Sequence, residues 1–482
     1  MQEHDLVTKS AAEMAELVRT KKISPLELLD AHLARIEELQ PKLNAFVSMD
    51  WDGARRHAKL AEAAVMRGDA LGPLHGVPIS IKSSIAVAGL PCEAGSPLKK
   101  GSIAQKDAVV VQRLKRAGAI VLGTTNLPEM LMAYESDNPL YGRVNNPWDL
   151  ERTAGGSSGG ESAAVAACCS AGGIGSDSGG SVRVPAHFTG ICALKATPGR
   201  IPGTGHDPEC LGPFSLLGVV GPMTRTVSDL EIFLKATAGY DAGDVMADPV
   251  PLENIPAGQL RRIRVGYLEE QDGVPVTAET RQAVRAAIEA LSEQGFDVVP
   301  FHLQNLSKVR AVWWTFFTLG GATLLREMYA GREHEMGSIL REFMEIAAPE
   351  LPLASDHLLH AWLERDQLRA QMMAQMQQVA AFITPVCSVP AFRHRERSWN
   401  IGGKTVEYLD AMSYTQWFNV LGNPCVVQPV GHSNEGLPIG VQVVARPWEE
   451  HVALGIARHI ELKFGWKQPP LGIAAAAPAA TA

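Results

Sequence analysis

Gly155-Gly156-Ser157-Ser158-Gly159-Gly160-Glu161-Ser162 and Gly175-Ser176-Asp177-Ser178-Gly179-Gly180-Ser181-Val182-Arg183-Val184-Pro185 decide how this chain is read. The first run admits three readings. It lies one residue away from a phosphate-binding loop, which needs Lys where Glu161 stands, and a carboxylate there repels phosphate. Gly156 to Gly160 also fits the G-x-S-x-G elbow, in which Ser158 is the nucleophile and an acid and a histidine follow later in the chain. Many histidines do follow, so this pattern alone leaves that reading open. The third reading is a Gly-rich turn that packs tightly and starts a buried helix over Ala163–Ala167. The second run separates them.

Residues 71–89 are rich in turn formers around a short strand. Val77, Ile79 and Ile81 alternate with Pro78, Ser80 and Lys82, so the two sets face opposite sides and Lys82 projects from the strand's end. Lys82 precedes Ser157 by 75 residues, and Ser181 follows Ser157 by 24. With these separations, Gly155–Pro185 resembles the defining stretch of the amidase signature family, including G-G-S-S-G-G and the ending G-G-S-x-R-x-P. The resemblance extends to Gly72-Pro73-Leu74-His75-Gly76-Val77-Pro78, to Asn146-Pro147-Trp148 and to Gly436-Leu437-Pro438-Ile439-Gly440-Val441-Gln442. It is weakest from about 300 to 380.

That resemblance implies a serine hydrolase acting through Ser181, Ser157 and Lys82. Ser181 attacks the carbonyl carbon and gives its proton to Ser157. Ser157 relays it to a neutral Lys82 and returns a proton to the departing amine. A serine hydroxyl needs such a partner, and the lysine must be held well below its ordinary value of about 10.4. Burial beside an apolar strand works in that direction. The resemblance also implies a cis peptide bond before Ser157. The backbone amides of Ser178, Gly179, Gly180 and Ser181 are the expected oxyanion hole, since adjacent glycines let several amides converge on one point. Asp177 and Arg183 are expected to brace that loop, and Glu161 and His75 to be structural. None of the 14 histidines is required by this mechanism.

The chain departs from the family pattern in places. Ser83-Ser84 follows Lys82 where an acidic residue is common, and Ser178 stands where Thr is frequent. Residues 126–139 resemble the fatty-acid amide hydrolase branch, which nominates Met130, Leu131, Met132 and Tyr134 as an acyl pocket; ordinary packing explains them equally well. Trp313, Trp314, Phe316 and Phe317 read as core or as an apolar, aryl-binding wall. The expected substrate is an amide with an apolar acyl or aryl part, with esters and carbamates sharing the same covalent chemistry. The alternatives are a protein resembling the amidase-type subunit of the glutamyl-tRNA amidotransferase, although no Arg is assignable to a glutamine carboxylate, and a catalytically silent scaffold.

The rest of the chain sets the frame. Hydrophobic residues make up 46% and charged residues 20% of 482, with a net charge of −8 and no Lys/Arg block, which argues against nucleic-acid binding. Seven scattered cysteines form no C-x-x-C pair, so no metal or cofactor is expected. A polar stretch from Met1 to Lys9 and the lack of a run of 18 apolar residues point to a cytoplasmic protein with no secretory signal and no membrane span; a monomer or homodimer acting on a small molecule is expected. Ser24-Pro25-Leu26-Glu27 opens an amphipathic helix with Leu29, Leu33 and Ile36 on one face, and Pro41 is expected to stop it. Strands alternate with helices throughout, giving an α/β fold with a mixed sheet sandwiched between helices and a helix-rich region over 305–380. One domain over 1–468 and a disordered Pro/Ala tail over 469–482 complete the expectation.

Overall fold

The computed structural model describes residues 3–471 apart from residue 272. Its centre is one sheet of 11 strands. In chain order these are β1 (Phe46–Met49), β2 (Pro78–Lys82), β3 (Ile120–Thr125), β4 (Gly172–Asp177), β5 (Cys192–Lys195), β6 (Val219–Thr224), β7 (Arg264–Tyr267), β8 (Asp297–Pro300), β9 (Ala381–Pro385), β10 (Cys425–His432) and β11 (Pro438–Ala445). Their spatial order is β1-β3-β2-β4-β6-β5-β10-β11-β9-β7-β8. β2 runs parallel to both β3 and β4, while β6 and β5 continue antiparallel, so the sheet is mixed as expected.

Both faces are covered. Along β9, Ala381 and Ile383 join a core with Leu230 and Phe233 of helix Val227–Thr237 and Ile456 of helix Glu450–Phe464, whereas Phe382 joins Trp417 and Phe418 on the other side. Along β3, Val121 faces one way, and Ile120 and Leu122 pack with Leu29, Leu33 and Ile36. The period of two in each strand therefore sorts side chains into two apolar layers.

The Gly/Ser/Ala density in the deciding stretch has a packing cause. Helix Gly159–Ala166 is buried along its whole length, lying directly on β2, β3 and β4. A Cβ on Gly160 would stand 2.5 Å from the carbonyl oxygens of Ala45 and Asn126, and one on Gly175 of β4 would meet Ser158 Oγ at 2.6 Å. The tight-packing reading of the first run is thus correct, and it coexists with the chemistry of its serines.

Helix Pro25–Leu43 carries the expected capping box, with Ser24 Oγ accepting from Glu27 N at 3.0 Å. Pro41 does not end it. The helix runs on to Leu43 and closes at Asn44, whose φ of 50° is left-handed. So near the C-terminus the proline removes a single ladder bond, and the last turn closes through Asn44 N to Gln40 O. Residues 306–375 form helices Leu306–Trp313, Gly320–Met328, Ser338–Ala347 and Ser355–Gln375, the first two joined by a π-helical turn, Trp314–Leu319. At the other end, Pro469 is buried and the Leu471 carbonyl accepts from Arg35 Nη2 at 3.3 Å. The expected tail beyond it, 472–482, lies outside the described residues. No helix among the described residues is long and apolar enough to cross a membrane.

Gly160→Ala is expected to lower the thermal midpoint, because backbone rather than a movable side chain occupies the space; the destabilisation should be about 1–3 kcal/mol or more. A scan matching that of the parent chain would contradict this packing.

Candidate active site

Lys82 ends β2 and is wholly buried. Its Nζ lies 2.7 Å from Ser157 Oγ and 3.1 Å from Ser176 Oγ. Burial pulls its pKa down to about 7, while Asp177, the Cys210 thiol and Glu161 pull weakly the other way. The peptide between Gly156 and Ser157 is cis. Glu161 accepts from Ser80 Oγ and, at 2.9 Å, from Thr125 Oγ1; burial raises its pKa to about 7. It ties the helix to the sheet, the bracing role expected of it. His75 likewise bonds the Ala61 carbonyl at 3.0 Å.

Ser158 cannot serve as an elbow nucleophile in this arrangement. It is fully buried, its Oγ bonds the Ser176 carbonyl at 3.3 Å, and its N–H donates to the Ser181 carbonyl at 3.1 Å. That last bond sets the Ser181 loop beside Ser157. Ser181 itself is half-buried, with no hydrogen bond to its hydroxyl among the described residues, and it borders a cavity together with Ser157, Ser176 and Ser178.

The loop after β4 is held by side chains on its outer side. The carbonyl of Asp177 accepts from Asn419 Nδ2 at 3.1 Å, and that of Ser178 from Trp313 Nε1 at 3.0 Å. The Gly179 carbonyl accepts from Tyr134 Oη at 2.9 Å and Thr415 Oγ1 at 2.7 Å. In a trans peptide the next N–H points opposite the carbonyl, so these bonds turn the amides of 178 and 179 the other way. The Gly180 amide is already committed to Asp177 Oδ1 at 2.7 Å, which removes it from the expected set of four. The amides of Ser178, Gly179 and Ser181 have no acceptor among the described residues. Gly180 has φ +128°, and a Cβ there would strike Thr415, so this position requires glycine.

Asp177 and Arg183, both fully buried, form the expected brace: Nη2 to Oδ1 is 2.9 Å and Nε to Oδ2 is 3.0 Å. Burial alone would raise the Asp177 carboxyl, but the guanidinium overrides it and holds the group well below the usual carboxylate range.

Met130, Leu131 and Met132 line the cavity together with Phe214 and Phe317. Met130 and Leu131 both adopt left-handed φ, at 51° and 65°. Tyr134 does not line it. Its ring is buried and its hydroxyl is spent on the Gly179 carbonyl, with Gln416 Nε2 donating to it at 3.0 Å, so it braces the loop. The aromatic run splits by helical direction: Phe316 is core, Phe317 reaches the cavity, and Trp313 stacks on Phe317 at 4.8 Å while holding Ser178. Two residues at the site were not singled out from the sequence, Ser176 and His206. Ser176 stood legibly at two-residue alternation with Ser178 in the deciding run; nothing local marks His206.

Family-level comparison matches residues 27–454 to Amidase. A glutamyl-tRNA(Gln) amidotransferase subunit of Methylacidiphilum infernorum is 32% identical over 496 residues, covering 96% of each chain. Fatty-acid amide hydrolase 2-B of Danio rerio is 32% identical over 501 residues, 96% of this chain and 91% of its own. A solved bacterial aryl acylamidase of the amidase signature family superposes with a TM-score of 0.85 at 26% identity, over 94% of this chain and 96% of that one. With this match along most of its length, the chain belongs to the amidase signature family, whose enzymes hydrolyse amide C–N bonds.

Proposed function

We propose that the chain is a serine amidase acting on amides with an apolar acyl or aryl part. The observation that carries this is a buried Lys82 hydrogen-bonded to Ser157, with the Ser181 hydroxyl, unengaged among the described residues, facing an apolar cavity. Ser181 Oγ attacks the carbonyl carbon as its proton passes to Ser157 and on to neutral Lys82. The tetrahedral oxygen is stabilised by the Ser178, Gly179 and Ser181 amides. On collapse the C–N bond breaks, Ser157 protonates the nitrogen and recovers a proton from Lys82, and water then hydrolyses the acyl-enzyme by the same relay. Esters and carbamates fit the same steps.

The cavity wall supports the apolar reading. Among its described residues it carries Met, Leu and Phe side chains and no arginine or lysine, with Glu209 its one carboxylate. A glutamine substrate would bring an α-carboxylate with no cation to meet it, which weighs against the activity that the amidotransferase relative's name describes. The fatty-acid amide hydrolase and aryl acylamidase relatives, by their names, fit such a wall better.

Ser181→Ala should abolish turnover of anilides and fatty amides, and a fluorophosphonate should add its mass to the peptide holding Ser181. An adduct on Ser158, or no labelling at all, would overturn the assignment.

Lys82 must be neutral to accept the proton, and its protonated fraction falls as pH rises through about 7. kcat/KM should therefore climb to a plateau above neutrality and drop on acidification. Lys82→Ala should damage amide cleavage far more than cleavage of activated esters, whose leaving group needs no proton; equal damage to both would contradict the relay.

Trp313→Phe keeps the ring on Phe317 but deletes the donor to Ser178. A loss of about 3- to 10-fold in kcat with KM nearly unchanged is expected, the scale of one hydrogen bond; steady-state kinetics on an anilide measures it.

A further inference from the structure

On that reading of the relay, one side chain near it has no assigned role. His206 is buried in the loop between β5 and β6, and it borders the same cavity as Ser157 and Ser181. Its Nδ1 lies 2.8 Å from the Pro208 carbonyl, which can only accept, so Nδ1 carries the hydrogen. Nε2 is then the acceptor of a neutral imidazole. It lies 2.9 Å from Ser176 Oγ, with Ser84 Oγ next at 3.2 Å. Ser176, the nearer of the two hydroxyls, is placed to donate to this nitrogen while its oxygen faces Lys82 Nζ at 3.1 Å.

We infer that His206 is a positioning residue of the proton relay, acting through Ser176 to fix which way Lys82 points its single lone pair. A neutral lysine amine has two N–H groups and one lone pair. With the Ser176 hydroxyl engaged by His206, an N–H of Lys82 goes to Ser176 Oγ and the lone pair is left for the Ser157 hydroxyl at 2.7 Å. Without that acceptor, the Ser176 hydroxyl is free to swing and donate to Lys82, competing with Ser157 for the one pair that receives the catalytic proton.

The surroundings keep the imidazole in this form. Burial lowers its pKa to about 4, against the pull of the Pro208 carbonyl bond, and the charged groups facing it are Lys82 and the mutually paired Asp207 and Lys99. It stays unprotonated through the range in which Lys82 titrates, so it acts as a fixed acceptor and carries no proton itself.

The test compares His206→Leu, His206→Gln and Ser176→Ala on an anilide. His206→Leu should lower kcat about 10-fold or more with KM within about twofold, and shift the acidic limb of kcat/KM to lower pH, since a donating Ser176 favours neutral Lys82. His206→Gln, which can offer a carbonyl oxygen to Ser176, should recover most of the rate. Ser176→Ala should give a similar loss, and adding His206→Leu to it should cost less than about twofold more, because both act on one contact. Unchanged kinetics and pH limb in His206→Leu, or fully additive losses in the double variant, would overturn the inference. Fluorophosphonate labelling of Ser181 in the parent chain keeps the two readings apart. A labelled parent with an unaffected His206→Leu removes only the role of His206, whereas an unlabelled parent removes both.

Discussion

The ion pair between Asp177 and Arg183 holds the whole arrangement in place. Both groups are sealed from water, and the carboxylate spends its oxygens on the guanidinium, on the amides of Gly180 and Val182 and on Asn419 Nδ2. Arg183 in turn reaches Asn419 Oδ1 and Gln442 Oε1, so a short loop is anchored to a helix and to β11 at once. Breaking such a pair leaves a charge buried without a partner, at about 3–5 kcal/mol. The loop's shape therefore depends on the fold's centre and not on its own residues.

What that anchoring supports is a set of backbone dipoles rather than side chains. The carbonyls of 177, 178 and 179 are each captured on one side by Asn419, Trp313, and Tyr134 with Thr415. In the proposed mechanism, amides held this way need no reorganisation when charge develops before them, which is where such a site gains most. Trp313 is the notable contributor, because it comes from helix Leu306–Trp313, far from the loop along the chain. Through its stacking on Phe317 it links the loop to the wall of the cavity.

The same dryness tunes the lysine. Lys82 stands near Asp177 and Glu161, yet burial outweighs both. An acidic residue directly after it would add another anion, and here Ser83 takes that place. Glu161 is itself pushed up to about 7, which weakens it as a counter-charge.

Much of this was legible in the chain. Two Gly-Ser runs, a lysine at the end of an alternating strand and fixed separations between them sufficed for the family and the α/β sheet, and they nominated Lys82, Ser157 and Ser181, of which the fold sets Lys82 Nζ 2.7 Å from Ser157 Oγ. Strand Gly172–Asp177 was hidden, since a glycine-rich segment has little intrinsic strand preference, and its glycines leave the room that Glu161 and Ser158 of the overlying segment occupy. Pro41 reads as a stop in the sequence but is not one, because a proline's cost depends on how many ladder bonds remain after it. Tyr134 was nominated for the pocket on sequence position, whereas its hydroxyl reaches Gly179 and its ring turns inward. Gly180 was counted as an oxyanion donor, yet its amide faces Asp177. Residue identity determines which groups can donate, accept or titrate, and that much the sequence settled alone. Which way a peptide plane turns, and which carbonyl a distant indole meets, is set by contacts between residues remote in the chain, as from Trp313 to Ser178, and the fold alone settles those.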